Sequence, residues 1–357
     1  MRLAVVGCGD VGSYVARFAR LNPRIELIGC ADRDIERARR CAGRSTKVYA
    51  DYRLMLSELR PDALYVALPH DLHLEAVEAA AEHGAHVLSE KPVAQGLEPA
   101  LRAVKAAGVK LAINYQYRYN YACNRLIRLA GSGAYGRVYY LRCNIPWHRE
   151  DSYFQAAAWH GSRVRSGGGT LLTQASHAID VALCASSYRE VHAGITERQS
   201  WRASGAIRRL RFQGVDVEDF AAATIELGTG PVIQVTSSMA AAVEAPMTIE
   251  LYAERATVTC TTAPVGRIRI RRTKQGRDIM PEPPDGRAAS FSRVGPWGIH
   301  PIARSLEAFR KWVVEDVPHL CPAREALPVL AVVDAIYRSA ESGGIETVQD
   351  WSGTTIK

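Results

Sequence analysis

The sequence predicts an α/β protein in two parts: an N-terminal doubly wound parallel sheet, then an α+β part with a large, mostly antiparallel sheet. Three observations carry this. Short apolar runs alternate with helical patterns up to about residue 119. A glycine-rich turn joins the first apolar run to the first helical one. Beyond that point strand-like runs dominate, as expected when strands follow one another without crossover helices.

Leu3–Val6 reads as a buried strand, Ser13–Leu21 as a helix, and Ile25–Cys30 as the next strand. Asp34–Cys41 is helical, Ala63–Leu68 a third internal strand, and Leu72–His83 a helix closed by Gly84. His86–Leu88 and Leu111–Ile113 read as strands flanking a helix over Leu97–Ala107. Longer strands are expected at Arg137–Trp147, Val191–Ser200, Phe220–Leu227, Val232–Ser238, Met247–Ala253, Ala256–Cys260 and Arg267–Arg272. Gln275–Trp297, rich in Pro, Gly and Arg, reads as a loop. Ile302–Val314 and Ala323–Glu341 have the spacing of amphipathic helices.

Composition narrows the function classes. At 357 residues the chain has room for about two domains. No run of about 18 uncharged apolar residues occurs, so no membrane span is expected. The first strand runs straight into the glycine turn, unlike a secretory signal, so a cytoplasmic location is expected. The eight cysteines include no Cys-x-x-Cys pair, which argues against a zinc site or a disulfide framework. The net charge of +8 is dispersed and carries no nucleic-acid-binding motif. Arg267, Arg269 and Arg271 share one strand face, which reads as a solvated face before it reads as a phosphate contact.

Gly7-Cys8-Gly9-Asp10-Val11-Gly12 follows the first strand and opens the first helix. Gly7 permits the tight turn, Gly9 lets the backbone approach a pyrophosphate, and Gly12 allows close helix–strand packing. The helix N-terminus adds N–H donors and a partial positive charge. Asp32 ends the second strand, 20 residues beyond Gly12, where a carboxylate meets ribose hydroxyls and repels a 2′-phosphate. This favours NAD, although Arg33 beside it leaves NADP open.

Further motifs complete a pattern: Pro69 with His73, Glu90-Lys91-Pro92, Tyr117-Arg118-Tyr119, Trp159-His160-Gly161, Gly167-Gly168-Gly169, and His177-Ala178-Ile179-Asp180. With the glycine turn and Asp32, they make the chain resemble the glucose–fructose oxidoreductase / inositol dehydrogenase / MocA (Gfo/Idh/MocA) family over essentially its whole length. The resemblance implies a Rossmann domain over 1–119 and a substrate and oligomerisation domain over 120–357. It also implies a helix near 323–341 packed back on the first domain, and a homo-oligomer. It places Leu68, Pro69, His70, His73, Glu90, Lys91, Gln116 and Trp159 around the cofactor. Lys91 and His177 become the catalytic pair, with Arg118, Tyr153, Thr173 and Gln174 joining them as substrate contacts. An ammonium can stabilise a developing alkoxide or relay a proton, and an imidazole can accept the hydroxyl proton. Arg118 fits either a substrate anion or a brace at the domain junction.

Thr173 departs from the aspartate that many family members carry four residues before the histidine. A threonine cannot titrate near neutral pH, so the proton work falls to Lys91 and His177. Thr173-Gln174-Ala175-Ser176-His177 is similar to the nucleotide-sugar and glycoside 3-dehydrogenase branch. The resemblance therefore implies NAD-dependent hydride transfer at a sugar carbinol, with no metal. Three alternatives stay open: an inositol or other polyol dehydrogenase, a non-catalytic dinucleotide sensor, and an imine or pigment reductase.

Overall fold

A computed structural model describes residues 1–106, 108–186, 201–262, 266–273 and 300–351. The chain forms two compact units, Met1–Gln116 with Phe291–Leu327, and Tyr117–Ser290 with Pro328–Lys357.

In the first unit, β1 (Arg2–Val6), β2 (Glu26–Ala31), β3 (Lys47–Tyr49), β4 (Ala63–Val66), β5 (His86–Ser89) and β6 (Leu111–Ile113) form one sheet. Its order is β3-β2-β1-β4-β5-β6, with all pairs parallel. The strands read as unbroken apolar runs because helices cover both faces; Leu3, Ala4, Val5, Leu64 and Val66 are fully buried. The crossovers are α1 (Asp10–Leu21), α2 (Ile35–Cys41), α3 (Tyr52–Leu59), α4 (His73–Glu82) and α5 (Leu97–Ala106). Asp34 starts α2 by accepting from the amides of Glu36 and Arg37, and Asp51 starts α3 by accepting from that of Arg53. The strand order reverses beside β1, which opens a crevice at the carboxyl ends of β1 and β4.

The second unit begins with α6 (Tyr121–Gly131), capped by Asn120. Its sheet comprises β7 (Val138–Pro146), β8 (Trp201–Arg208), β9 (Phe220–Leu227), β10 (Val232–Ser238), β11 (Thr248–Ala253), β12 (Ala256–Thr261), β13 (Arg267–Arg272) and β14 (Glu346–Thr347). The order is β13-β12-β11-β7-β10-β9-β8-β14, and only β7–β10 is parallel. Residues alternate strictly: Leu141, Cys143 and Ile145 of β7 are buried, whereas Tyr140, Arg142 and Asn144 face outward. Two short helices, α7 (Asp151–Ala156) and α8 (Arg163–Ser166), lead into a π-turn at Leu171–Ala175 and then α9 (Ser176–Ala185).

The domain boundary differs from the sequence expectation. Helix α10 (Pro301–Glu315) belongs to the first unit, where Leu306 and Phe309 join the core around Leu3, Val15 and Leu27. Residues 323–326 form a 3-10 turn, also in the first unit. Helix α11 (Leu327–Ser342) lies almost wholly in the second unit, where the Ser339 hydroxyl accepts from the Gly205 amide at 3.0 Å. β8 lies beyond the expected ranges; the strand expected at Val191–Ser200 and the loop expected at Gln275–Trp297 fall outside the described residues. Among the described residues no helix is long and apolar enough to cross a membrane, and no cluster of three His, Cys, Asp or Glu residues could hold a metal.

Candidate active site

In the first unit the glycine turn is built as a cradle. Gly7 has φ +83°, and a methyl there would fall on the Ala67 carbonyl; one on Gly12 would fall on the Gly7 carbonyl. A methyl on Gly9 would meet open space, so its glycine keeps the approach to the turn clear. Gly9 caps α1 without a side-chain acceptor. The helix's first amides therefore gain no acceptor from the cap residue, as a pyrophosphate site requires. Asp32, half-buried at the end of β2, accepts from the Cys8 amide at 2.8 Å and the Asp34 amide at 2.9 Å. These bonds hold its carboxylate beside the turn, where ribose hydroxyls can reach it. Arg33 is exposed. Gly7, Gly9, Asp10, Val11, Gly12 and Asp32 thus fit a dinucleotide, with Arg33 at the margin.

Lys91 follows β5 and is 9% exposed. Burial pulls its amine down from the ordinary 10.5 to about 8, against the opposing pull of the Glu90 carboxylate. That carboxylate is fixed in turn. Glu90 accepts from the Tyr65 hydroxyl and, at 2.7 Å, from the Asn114 amide, which also donates to the Tyr65 oxygen at 2.9 Å. Tyr65 and Asn114 are fully buried, and burial followed by Glu90 pushes the phenol well above its ordinary range. The sequence reading missed both. The signals were a hydroxyl inside the apolar run Leu64–Val66 and an amide directly after β6.

Leu68, Pro69 and Gln116 are half-buried, and His70 is nearly buried. His73 has no exposed surface. Its Nδ1 lies 2.6 Å from the Pro92 carbonyl and its Nε2 2.7 Å from the Leu68 carbonyl. Burial holds it below the ordinary imidazole range. It braces the loops that carry Leu68 and Lys91.

In the second unit His177 lies on α9, 6% exposed, with the Tyr117 ring edge-on at 5.1 Å. Burial raises the Tyr117 phenol to about 12, so it stays neutral. Thr173 lies in the π-turn; π-turns recur at functional sites. Its amide and its hydroxyl both donate to the Gly169 carbonyl, at 2.9 and 2.7 Å. Tyr153 stacks on His160 at 4.3 Å, with the Arg149 guanidinium 5.4 Å from its ring, and Trp159 meets His160 edge-on.

Two residues expected at the substrate are deeply buried. Arg118 is 4% exposed, and its Nε and Nη2 donate to Asp180, itself 1% exposed, at 2.6–3.1 Å. The pair braces the second unit internally, tying the start of that unit to α9. Gln174 is 2% exposed; its Oε1 accepts from Thr170 at 3.2 Å, while its buried Nε2 has no hydrogen-bond partner among the described residues.

Comparison with known proteins agrees with both units. Residues 1–115 match the family model described as oxidoreductase family, NAD-binding Rossmann fold, and residues 124–259 match the GFO/IDH/MocA C-terminal domain. The D-glucoside 3-dehydrogenase of Escherichia coli is 24% identical over 365 residues, covering 96% of each chain. The 1-carboxy-3-chloro-3,4-dihydroxycyclo hexa-1,5-diene dehydrogenase of Comamonas testosteroni is 27% identical over 186 residues, which span 51% of this chain but 46% of that one. The WlbA dehydrogenase of Bordetella pertussis, solved with NADH and UDP-GlcNAcA, superposes with a TM-score of 0.80 at 26% identity, covering 98% of this chain and 99% of that one. With a cradle suited to a dinucleotide and family models matched in both units, the chain belongs to the Gfo/Idh/MocA family of NAD-binding oxidoreductases.

Proposed function

We propose that the protein is an NAD-dependent sugar dehydrogenase that oxidises a secondary hydroxyl, at carbon 3 of a pyranose in a nucleotide sugar or glycoside. The observation that carries this is Lys91: an amine buried at the carboxyl end of β5 and pulled down to about 8 is tuned for chemistry on an oxygen, whereas a surface lysine is not. The carbon-3 assignment draws support from the glucoside 3-dehydrogenase, which matches along its whole length, and from WlbA, which was solved with a nucleotide sugar.

NAD+, when bound, supplies the acceptor for the hydride that leaves the carbinol carbon. Lys91 as an ammonium holds the substrate oxygen and offsets its growing negative charge. The His177 imidazole takes the hydroxyl proton as the C–O bond becomes a carbonyl. Thr173 offers its oxygen as an acceptor to a neighbouring hydroxyl, because its own proton already goes to Gly169. The Tyr65–Glu90–Asn114 network keeps a negative charge near Lys91. Ketone reduction uses the same groups in reverse.

The test is a panel of nucleotide sugars, glycosides, inositol and other polyols with NAD+, followed by NADH absorbance, on the wild type, Lys91→Ala and His177→Asn. Turnover of a glycoside or nucleotide sugar that both variants abolish supports the proposal. Turnover of inositol alone would move the substrate class. NADH binding with no turnover of any member would favour a dinucleotide sensor, and undiminished activity in Lys91→Ala would remove the mechanism.

A further inference from the structure

Glu218 is a buried carboxylate that the chemistry above does not use, and it lies at the base of the segment that carries Thr173 and His177. It is 4% exposed. Three successive amides end on it: Gly169 donates to Oε2 and Leu171 to Oε1, both at 2.9 Å, and Thr170 donates to its backbone carbonyl at 2.9 Å. The Tyr337 hydroxyl, from α11, donates to Oε1 at 2.9 Å. These are the orphan donors at the start of a helical run, satisfied from outside the run.

The glycines fit this arrangement. A methyl on Gly168 would fall on the Tyr337 hydroxyl, and one on Gly169 would fall on the Glu218 carbonyl oxygen. Two glycines of the triplet are therefore needed so that Glu218 and Tyr337 can close on the chain. The Arg163 guanidinium lies over the Tyr337 ring at 4.9 Å and holds it from the far side. The hold passes onward, because Thr173 bonds Gly169 through both its amide and its hydroxyl. Burial raises the carboxyl of Glu218 and the phenol of Tyr337, so neither group titrates freely.

We propose that Glu218 and Tyr337 are positioning residues for this reaction, forming a latch that sets the register of the π-turn and so the placement of Thr173 and His177. The inference rests on the function proposed above, and its test separates the two. Tyr337→Phe removes one hydroxyl and keeps the ring. Glu218→Gln keeps the shape but sets an amide against amide donors. Val258→Ala, in the fully buried core of the same sheet, serves as a destabilised control that does not touch the latch.

Hydrogen exchange of residues 169–177 and steady-state kinetics are measured on all three variants. The expected result is faster exchange confined to that segment in both latch variants. It comes with a fall in kcat of about tenfold, the loss of one well-placed bond in the transition state, while KM and NADH affinity stay near wild type. The control should unfold at lower denaturant and keep its kcat. Unchanged local exchange in both latch variants would overturn the latch. Faster exchange with unchanged kcat would overturn its role in positioning. A wild type inactive on every sugar would overturn the proposed function instead, and the exchange data would then decide the latch alone.

Discussion

Replacing Lys91 with methionine should make the protein more stable while removing its activity. The amine is 9% exposed and is held at about 8, below its ordinary 10.5. At ~1.4 kcal/mol per tenfold change in proton affinity, charging this group inside the fold costs about 3 kcal/mol. Between pH 8 and 10.5 the unfolded amine keeps its proton while the folded one has lost it, so stability rises with pH across that window. Below pH 8 both forms are protonated and the whole penalty is present. Methionine fills nearly the same volume without a charge, so at pH 7 Lys91→Met should gain up to about 3 kcal/mol. Urea unfolding at pH 7 measures the gain, and the same titration on the wild type at rising pH measures the window. A variant no more stable than the wild type, together with wild-type stability flat from pH 8 to 10.5, would refute the tuning of Lys91.

Glu90→Gln removes the charge that opposes the fall in the Lys91 proton affinity, so the basic limb of kcat/KM should move down from about 8; an unmoved limb in the pH profile would detach Glu90 from Lys91. Arg118→Met leaves the Asp180 carboxylate buried without its partner and should cost ~3–5 kcal/mol in urea unfolding, most of it recovered in the double variant Arg118→Met/Asp180→Leu. A double variant as unstable as the single would show that the pair is not the cause. Asp32→Ala should weaken NADH binding by roughly tenfold and narrow the preference over NADPH, read by fluorescence titration with each cofactor. An unchanged preference would remove Asp32 from the ribose site.

The first unit was legible because its chemistry is local. The longer strands are apolar runs, most helices have their own spacing, and the glycine turn with Asp32 spans one strand–helix–strand repeat. The exceptions, β3 and α3, were passed over because Lys47-Val48-Tyr49 is a short, half-exposed edge with no apolar run. The second sheet was legible wherever one face is buried, as in β7 and β10, where apolar and polar residues alternate. β8 was not, because Arg202-Ala203-Ser204-Gly205-Ala206 has small side chains on both faces and little contrast between them. The return of α10 to the first core depends on Leu306 and Phe309 meeting residues some three hundred positions earlier, which no local pattern encodes. At the site the residue types were readable, but their depth was not. His73, Gln174 and Arg118 are polar side chains that sequence alone places at a ligand, whereas tertiary packing buries each of them on backbone or on a partner. Glu218 escaped notice for the converse reason, since a glutamate beside an aspartate reads as solvated until its three amide donors are seen.

The π-turn makes this stretch tolerant of a change in count that ordinary helices do not tolerate. A wide turn accommodates an additional residue, so losing one of Leu171–Ala175 would leave a regular helix with the residues after it nearly where they were. The same loss within α9 would swing everything downstream by about 100° about the axis and slide it by about 1.5 Å. What the loss inside the turn would change is the setting of Thr173, while the imidazole kept its neighbour. Chimeras between this chain and its relatives should therefore be joined before the glycine triplet or after α9, so that the turn is carried over whole.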